Sequence, residues 1–134
     1  MKEIKLERMR DLDILLSGLY SQPVKGLETL RLFDKVLTAI EHIAVVKYDE
    51  NGNVVAFETD EAGNTIMENG NPKRATRLKE IPAVLRLEDG HAEFLKARVA
   101  SNNWPGQVAR DVIRLLQQLG DATEADQKTS VNES

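Results

Sequence analysis

Apolar and polar residues alternate with two different periods over the first third of the chain. Residues 3–7 alternate apolar with charged side chains, and this period of two predicts a strand. Leucines then recur at helical spacing over residues 10–21, which predicts a first helix that ends before Pro23. A longer helix is predicted from about Gly26, because six apolar residues follow a helical period. They are Leu27, Leu30, Phe33, Leu37, Ile40 and Ala44.

A turn-rich excursion at residues 49–80 interrupts this helical pattern. Segments rich in Gly and Asn predict turns at 50–53, 61–64 and 69–72. Val54, Val55 and Phe57 lie between the first two turns and predict a short strand. Residues 49–68 include acidic side chains and no Lys or Arg, whereas residues 73–79 are basic. The opposite charges of the two segments are therefore expected to screen each other partly.

The strand-then-helix pattern returns after the excursion. Alternation over residues 83–88 predicts a second strand, and residues 89–100 predict a helix with Asp89 as a candidate N-cap. A last helix is predicted with Pro105 in its first turn and Gly120 at its end. The apolar face of this helix comprises Val108, Val112, Leu115, Leu116 and Leu119.

These elements predict an α+β fold that is mostly helical, with four helices and a small antiparallel sheet. A shift of 80 residues aligns Leu15 with Leu95 and Leu19 with Val99. Duplication of one strand-helix-helix half would produce this match, and four unrelated core helices would produce similar stripes by chance. Both interpretations remain open, and both predict the same core residues.

Length and composition indicate a single domain. The 134 residues suffice for one modest core, so residues 1–120 are predicted to form one globular domain. Residues 121–134 are polar and are expected to form a disordered tail. The sequence has no secretory signal and no apolar run of about 18 residues, the length that a membrane-spanning helix needs. We therefore expect a cytoplasmic protein that does not bind a membrane. The net charge of −4 disfavours general affinity for a phosphate backbone.

Motifs that would indicate catalysis or metal binding are absent from the sequence. The chain has no cysteine, which excludes disulfides and thiolate chemistry. Its two histidines, His42 and His91, do not have metal-ligand spacing, and zinc needs about three protein ligands. Glycine-rich phosphate loops and nucleophile elbows are missing as well. We therefore expect a protein that is not an enzyme and that needs no cofactor.

Two features are candidates for contact with a partner protein. Trp104 lies at the break between the last two helices, where it either packs the helix entry against the core or anchors a partner. The basic stretch is either a solvated linker or a patch for an acidic surface or nucleic acid, with the arginines as the main hydrogen-bond donors. Its members are Lys73, Arg74, Arg77 and Lys79.

The segment Val-Leu-Arg-Leu-Glu-Asp at 84–89, followed by two predicted helices, resembles the ribbon-helix-helix family of transcriptional regulators. The resemblance covers the second half and, more loosely, residues 3–41. It implies that the two predicted strands pair and enter the DNA major groove, with Lys5 and Arg86 on the reading face. Three acids would share that face, and acids near phosphates disfavour DNA binding. They are Glu3, Glu7 and Glu88.

Most of the chain is also similar to small tailed-bacteriophage proteins of unknown function. The similarity lies in the order of Pro-Val-Lys-Gly at 23–26, Lys-Tyr-Asp-Glu-Asn-Gly-Asn at 47–53, an acidic spacer, and Ile-Pro-Ala-Val-Leu-Arg-Leu at 81–87. It implies a phage or prophage origin and no catalytic motif. The leading hypothesis is an accessory protein of the infected bacterial cytoplasm that binds a host or phage protein stoichiometrically. A DNA-binding regulator and a virion structural component are the alternatives, and a homodimer remains open.

Overall fold

The computed structural model describes residues 1–120, which form four α-helices and six short strands. The first half comprises β1 (Lys2–Leu6), α1 (Met9–Leu19) and α2 (Leu27–Ile43). The excursion comprises β2 (Ala44–Val45), β3 (Met67–Glu68), β4 (Asn71–Pro72) and β5 (Arg77–Leu78). The second half comprises β6 (Ala83–Leu87), α3 (Asp89–Ser101), a 3₁₀ turn (Gly106–Val108) and α4 (Ala109–Leu119). The predicted α+β, mostly helical fold is confirmed, and the tail predicted at 121–134 lies outside the described residues.

The first and last strands pair into an antiparallel ribbon at the centre of the fold. Ile4 lies opposite Leu85, and Glu3 lies opposite Arg86. Because side chains alternate between the two faces of a ribbon, one face is apolar and packs into the core. The buried residues of this face are Ile4, Leu6, Ala83, Leu85 and Leu87.

The four helices cover the apolar face of the ribbon in a crossed arrangement. Helix α4 packs against β1, α2 packs against β6, and α1 packs against α3. The second helix of each half therefore covers the strand of the other half. A single strand-helix-helix unit has no such cover for its apolar face, so the two halves stabilise each other. The residues that the 80-residue shift aligns, Leu15 with Leu95 and Leu19 with Val99, are all buried. Duplication of one half as the origin of this symmetry stays a prediction.

Buried Arg98 joins the end of α1 to α3. Its Nε donates to the Leu19 carbonyl oxygen at 2.8 Å, and its Nη2 donates to the Gln22 carbonyl. The guanidinium also lies over the Phe94 ring, 5.3 Å from its centroid. A positive charge at the C-terminus of a helix interacts favourably with the helix dipole, so Arg98 stabilises the end of α1.

An ion-pair network joins the start of α1 to α4. The Asp11 carboxylate is fully buried, accepts the Glu7 backbone N–H at 2.8 Å, and accepts from Arg114 Nη2 at 2.6 Å. The same Arg114 nitrogen donates to Asp111 at 3.1 Å. Removing one member would leave a buried charge without its partner, which is strongly destabilising.

The first two turns of α2 contradict the predicted buried stripe. Leu27 and Leu30 are 63% and 50% exposed, whereas Val36 and Ile40 are fully buried. Helix α2 packs against α3 and β6, and these partners cover it only from about Phe33 onward. The periodicity correctly predicted a helix here. Helix α2 is, however, longer than the surface of α3 and β6 that covers it, so its first two turns are exposed.

Three local predictions are also corrected. Asp89 is the first residue of α3, and Glu88 occupies the N-cap without a side-chain hydrogen bond. Pro105 precedes the 3₁₀ turn in an extended conformation and so lies outside α4. The strand predicted over Val54, Val55 and Phe57 is replaced by single bridges from Val54 to Tyr48 and from Phe57 to Arg74. The chain changes pairing partner at each turn, so no continuous strand forms there.

The predicted turns of the excursion form, and the first two share one hydrogen-bond pattern. Asp49 Oδ1 accepts the backbone N–H groups of Asn51 and Asn53 at 2.8 and 3.0 Å. Asp60 Oδ1 accepts the N–H groups two and four residues later at 3.0 and 2.9 Å. Gly52, like Gly63, adopts a positive φ that closes the turn. These aspartates therefore have a structural role in turns.

Candidate functional site

A groove runs along the outer face of α1, between the excursion and the loop that holds Trp104. We name this surface the α1 groove. It consists of two depressions of about 300 and 520 Å³, which share Asp13 and Ser17. The first depression has an apolar wall formed by Leu16, Tyr20, Val54 and Ala56. The second is bounded by Arg10, Arg74, Trp104, Pro105 and Val108.

Thr76 positions the excursion wall of the α1 groove. Its side chain is buried, and its Oγ1 donates to the Val55 carbonyl at 2.8 Å while accepting the Lys47 N–H at 3.1 Å. Two residues later, the Leu78 N–H donates to Met9 Sδ at 3.3 Å. These bonds fix the two arms of the excursion to each other and to α1, so contacts within the chain hold the wall in place.

Arg74 links this wall to the floor of the groove. Its Nη2 donates to the Asp13 carboxylate, and its Nε donates to the Thr76 carbonyl at 3.1 Å. The guanidinium also lies 5.2 Å from the centroid of the Phe57 ring. Three contacts hold one side chain, so Arg74 presents a fixed donor group to the groove.

Asp13 is the carboxylate on the floor of the α1 groove. Burial raises its pKa, and the neighbouring Arg74 guanidinium opposes that rise. The pair brings opposite charges together between two mostly apolar depressions. Ser17 lines both depressions together with Asp13, and neither lining includes a histidine. The arrangement suits binding of a segment that carries both apolar and polar groups.

Trp104 borders the far end of the groove and is held from behind. Its Nε1 donates to the Val99 carbonyl at 2.8 Å, and its ring is partly buried against the core. The two alternatives for Trp104 are therefore compatible, because the ring both anchors the loop and lines the groove. Arg74 and Trp104, both predicted partner residues, line the same depression of the groove.

The other predicted basic residues lie apart from Trp104. Lys73 and Arg77 line an adjoining depression of about 550 Å³, where Lys73 pairs with Glu58 at 3.8 Å. Lys79 lies on another face, where its Nζ donates to the His42 carbonyl at 3.3 Å. Arg74 lines this adjoining depression as well, so three of the four basic residues share one surface and Lys79 lies apart from them.

The outer face of the ribbon holds the residues of the DNA-binding alternative. Arg86 lies opposite Glu3 and pairs with its carboxylate at 3.0 Å. Lys5 lies opposite Val84 and is exposed. Within residues 1–120, Lys5 is the one cation of this face without an ion pair, which leaves little positive charge for a phosphate backbone.

His42 and His91 both line a groove beside β6, although they lie far apart in sequence. Among the described residues, no group of three or more His, Cys, Asp or Glu side chains is arranged to hold a metal ion. No helix in the described part of the chain has both the length and the apolar character needed to cross a membrane.

Comparisons with family models, curated proteins and solved structures find no match to this chain. The site is therefore interpreted from its own geometry. Sequence reasoning missed Asp13 and Ser17, which face the groove together with Arg10. Their spacing of three and four residues marks one polar face of α1. That spacing alone could not indicate that the excursion folds back beside it.

Proposed function

We propose that this chain is a non-enzymatic accessory protein that binds another protein stoichiometrically through the α1 groove. The supporting observation is the continuity of that groove, in which apolar walls flank the Asp13–Arg74 pair. A segment with apolar side chains on both sides of a hydrogen-bonding group would fit this pattern. The proposed setting is the cytoplasm of a bacterium that carries a phage or prophage, in line with the resemblance to small phage proteins.

The walls of the groove support a preformed binding site. Thr76, Arg74 and Trp104 are each held by hydrogen bonds within the chain. A partner would therefore not have to order these groups on binding, which lowers the entropic cost of association. Aromatic and arginine side chains such as these are also common among residues that dominate binding energy.

DNA binding by the ribbon is the second candidate. The antiparallel pairing of β1 with β6, each followed by two helices, favours it. The Glu3–Arg86 ion pair and the exposed carboxylates of Glu7 and Glu88 disfavour it. The proposal therefore places the partner on the α1 groove, and a mobility-shift titration at two salt concentrations tests the alternative.

Site-directed photocrosslinking tests the proposal. A photoreactive amino acid replaces Ser17, which is exposed in the groove, in cells that naturally produce the protein. The matched control is Ala97, which is exposed on α3 at the position equivalent to Ser17 by the shift of 80 residues. We expect one protein adduct at Ser17 that is absent at Ala97. Equal adducts at both positions, or none at Ser17, would contradict the proposal.

A further inference from the structure

The Asp13–Arg74 pair lies between the two apolar parts of the α1 groove. Asp13 borders both depressions, and Arg74 borders the second one. Apolar side chains such as Val54 line the first depression, and Trp104 lines the second. A segment that crosses the groove therefore places an apolar residue on each side of the pair and the residue between them against the pair itself.

The pair keeps unused capacity for hydrogen bonds. Arg74 Nη2 donates to Asp13 Oδ1, and Arg74 Nε donates to the Thr76 carbonyl. Within residues 1–120, Asp13 Oδ2 and Arg74 Nη1 have no hydrogen-bond partner. A carboxylate oxygen only accepts, and a guanidinium nitrogen only donates. A group of the partner that satisfies both atoms must therefore donate and accept at the same time.

The charges in and around the groove are balanced. Asp13 compensates Arg74, and the remaining charged residue of the lining is Arg10. Arg10 belongs to the network between α1 and α4, in which three arginines match three carboxylates. They are Arg8, Arg10 and Arg114 with Glu7, Asp11 and Asp111. Beyond Arg74, the adjoining depression has two basic residues and two carboxylates, which are Lys73, Arg77, Glu58 and Glu68. The net charge of the surface therefore selects neither an acidic nor a basic partner.

A charged side chain against the pair would meet one like charge. A carboxylate would approach Arg74 but also face Asp13, and a cation would approach Asp13 but also face Arg74. A segment that covers the groove removes water from the pair, so this repulsion would be weakly screened. A carboxylate also cannot donate and an ammonium group cannot accept, so each would leave one atom of the pair unsatisfied.

A side-chain carboxamide has the matching set of groups. Its NH₂ donates and its oxygen accepts, and it carries no charge. A hydroxyl also donates and accepts, but through one oxygen atom, whereas the pair offers its acceptor and its donor on two separate atoms. Asn and Gln are therefore the residues whose side chains complement the Asp13–Arg74 pair.

We propose that the α1 groove binds a partner segment that places an Asn or Gln side chain on the Asp13–Arg74 pair, between two apolar residues. The carboxamide NH₂ donates to Asp13, and its oxygen accepts from Arg74. The apolar neighbours occupy the two depressions. Asp13 and Arg74 thus determine specificity, because they reject charged side chains at this position. The inference rests on the proposed use of the groove and adds the residue type that the partner presents there.

Ribosome display of random peptides on the full chain tests the inference. Peptides that also bind Ser17→Arg, in which a long side chain fills the groove, are discarded. We expect the remaining peptides to share Asn or Gln between two apolar residues. A shared charged or hydroxyl residue at that position, or no preference there, would overturn the inference and leave binding at the groove intact. If no peptide distinguishes the natural chain from Ser17→Arg, the groove itself is not a binding site, and both proposals are wrong.

Substitutions of the pair test its role in specificity. Fluorescence anisotropy compares versions of one selected peptide with Gln, Glu or Lys at the central position. We expect the natural chain to bind the Gln version at least tenfold more tightly than the other two. Asp13→Asn leaves Arg74 uncompensated and should favour the Glu version, whereas Arg74→Gln leaves Asp13 uncompensated and should favour the Lys version.

Arg77→Gln is the matched control for these substitutions, because it removes a nearby positive charge outside the α1 groove. We expect it to keep the preference for the Gln version. A partial loss of folded protein lowers the apparent affinity for all three peptides equally, so a reversed preference cannot come from reduced stability. The same preference in the natural chain and in all three variants would contradict the inference.

Discussion

Gly18 shows how one residue sets the approach of α1 to α3. A Cβ atom at this position would lie 2.6 Å from Val99 Cγ2 and 2.9 Å from the Val99 Cα atom. Both distances are shorter than van der Waals contact, and one involves backbone that cannot rotate away. The absence of a side chain at Gly18 therefore permits the close contact of these two helices.

Gly18→Ala is expected to destabilise the protein by about 1–2 kcal/mol. Overpacking costs about 1–3 kcal/mol, and the better helix propensity of alanine offsets up to about 1 kcal/mol of that. Urea denaturation measures the free energy of unfolding. Gly90→Ala is the matched control, because no atom lies within 4 Å of a Cβ placed there. Equal stability of the two variants would contradict the close packing of α1 on α3.

Asp111 gives a prediction for the effect of pH on stability. The hydrogen bond from Arg114 lowers its pKa, burial opposes this, and Arg8 and Arg10 lower it further. A folded pKa below the unfolded one means that the carboxylate stabilises the fold above the unfolded pKa of about 3.9. That contribution is lost as pH falls through the folded pKa.

The Asp111→Asn variant should therefore lose less stability on acidification than the natural chain. Denaturation at pH 6 and at pH 3 measures the difference in unfolding free energy between the two proteins. We expect that difference to be clear at pH 6 and smaller at pH 3. A difference that stays constant over this range would show that the Asp111 carboxylate does not contribute through its charge.

At the scale of secondary-structure elements, the spacing of the hydrophobic residues predicted most helices, because each helix packs one face against the core. The stripes containing Leu15 and Leu95 are buried as expected. The period could not indicate that the first turns of α2 lack a covering element, which leaves Leu27 exposed. Burial depends on contacts between distant parts of the chain, and local spacing contains no information about them.

Leu15→Ala and Leu95→Ala should each cost about 2–5 kcal/mol, because each leaves a cavity in the closed core. Leu27→Ala is the matched control on α2, and a change within about 0.5 kcal/mol is expected for this exposed residue. Urea denaturation of the three variants provides the comparison. A small effect at Leu95 with a large one at Leu15 would contradict a single core shared by both halves.

In the candidate site too, features that depend on neighbouring residues could be predicted from the sequence, and contacts between distant residues could not. The turns of the excursion followed from Gly and Asn residues such as Gly52 and Asn53, whose backbone preferences are local. The bond from Arg74 to Asp13 joins residues 61 positions apart, so spacing could not predict it. Arg74 and Trp104 were identified as residue types suited to a partner, but their common groove became evident only from the fold.

At the scale of the whole molecule, the fold separates three surfaces with different chemistry. The outer ribbon face is nearly neutral because Glu3 pairs with Arg86. The groove beside β6 combines Ala39 and Ile43 with both histidines, and the α1 groove combines apolar walls with the Asp13–Arg74 pair. The central claim is that the α1 groove, and not the ribbon, contacts the partner protein.

Calorimetric titration with the protein captured at Ser17 tests this claim most directly. Ser17→Arg fills the groove with a long charged side chain, and Ala97→Arg makes the same change in charge on the exposed face of α3. We predict a 1:1 complex with the natural chain, binding at least tenfold weaker for Ser17→Arg, and unchanged binding for Ala97→Arg. Equal affinity of Ser17→Arg and the natural chain would contradict the account.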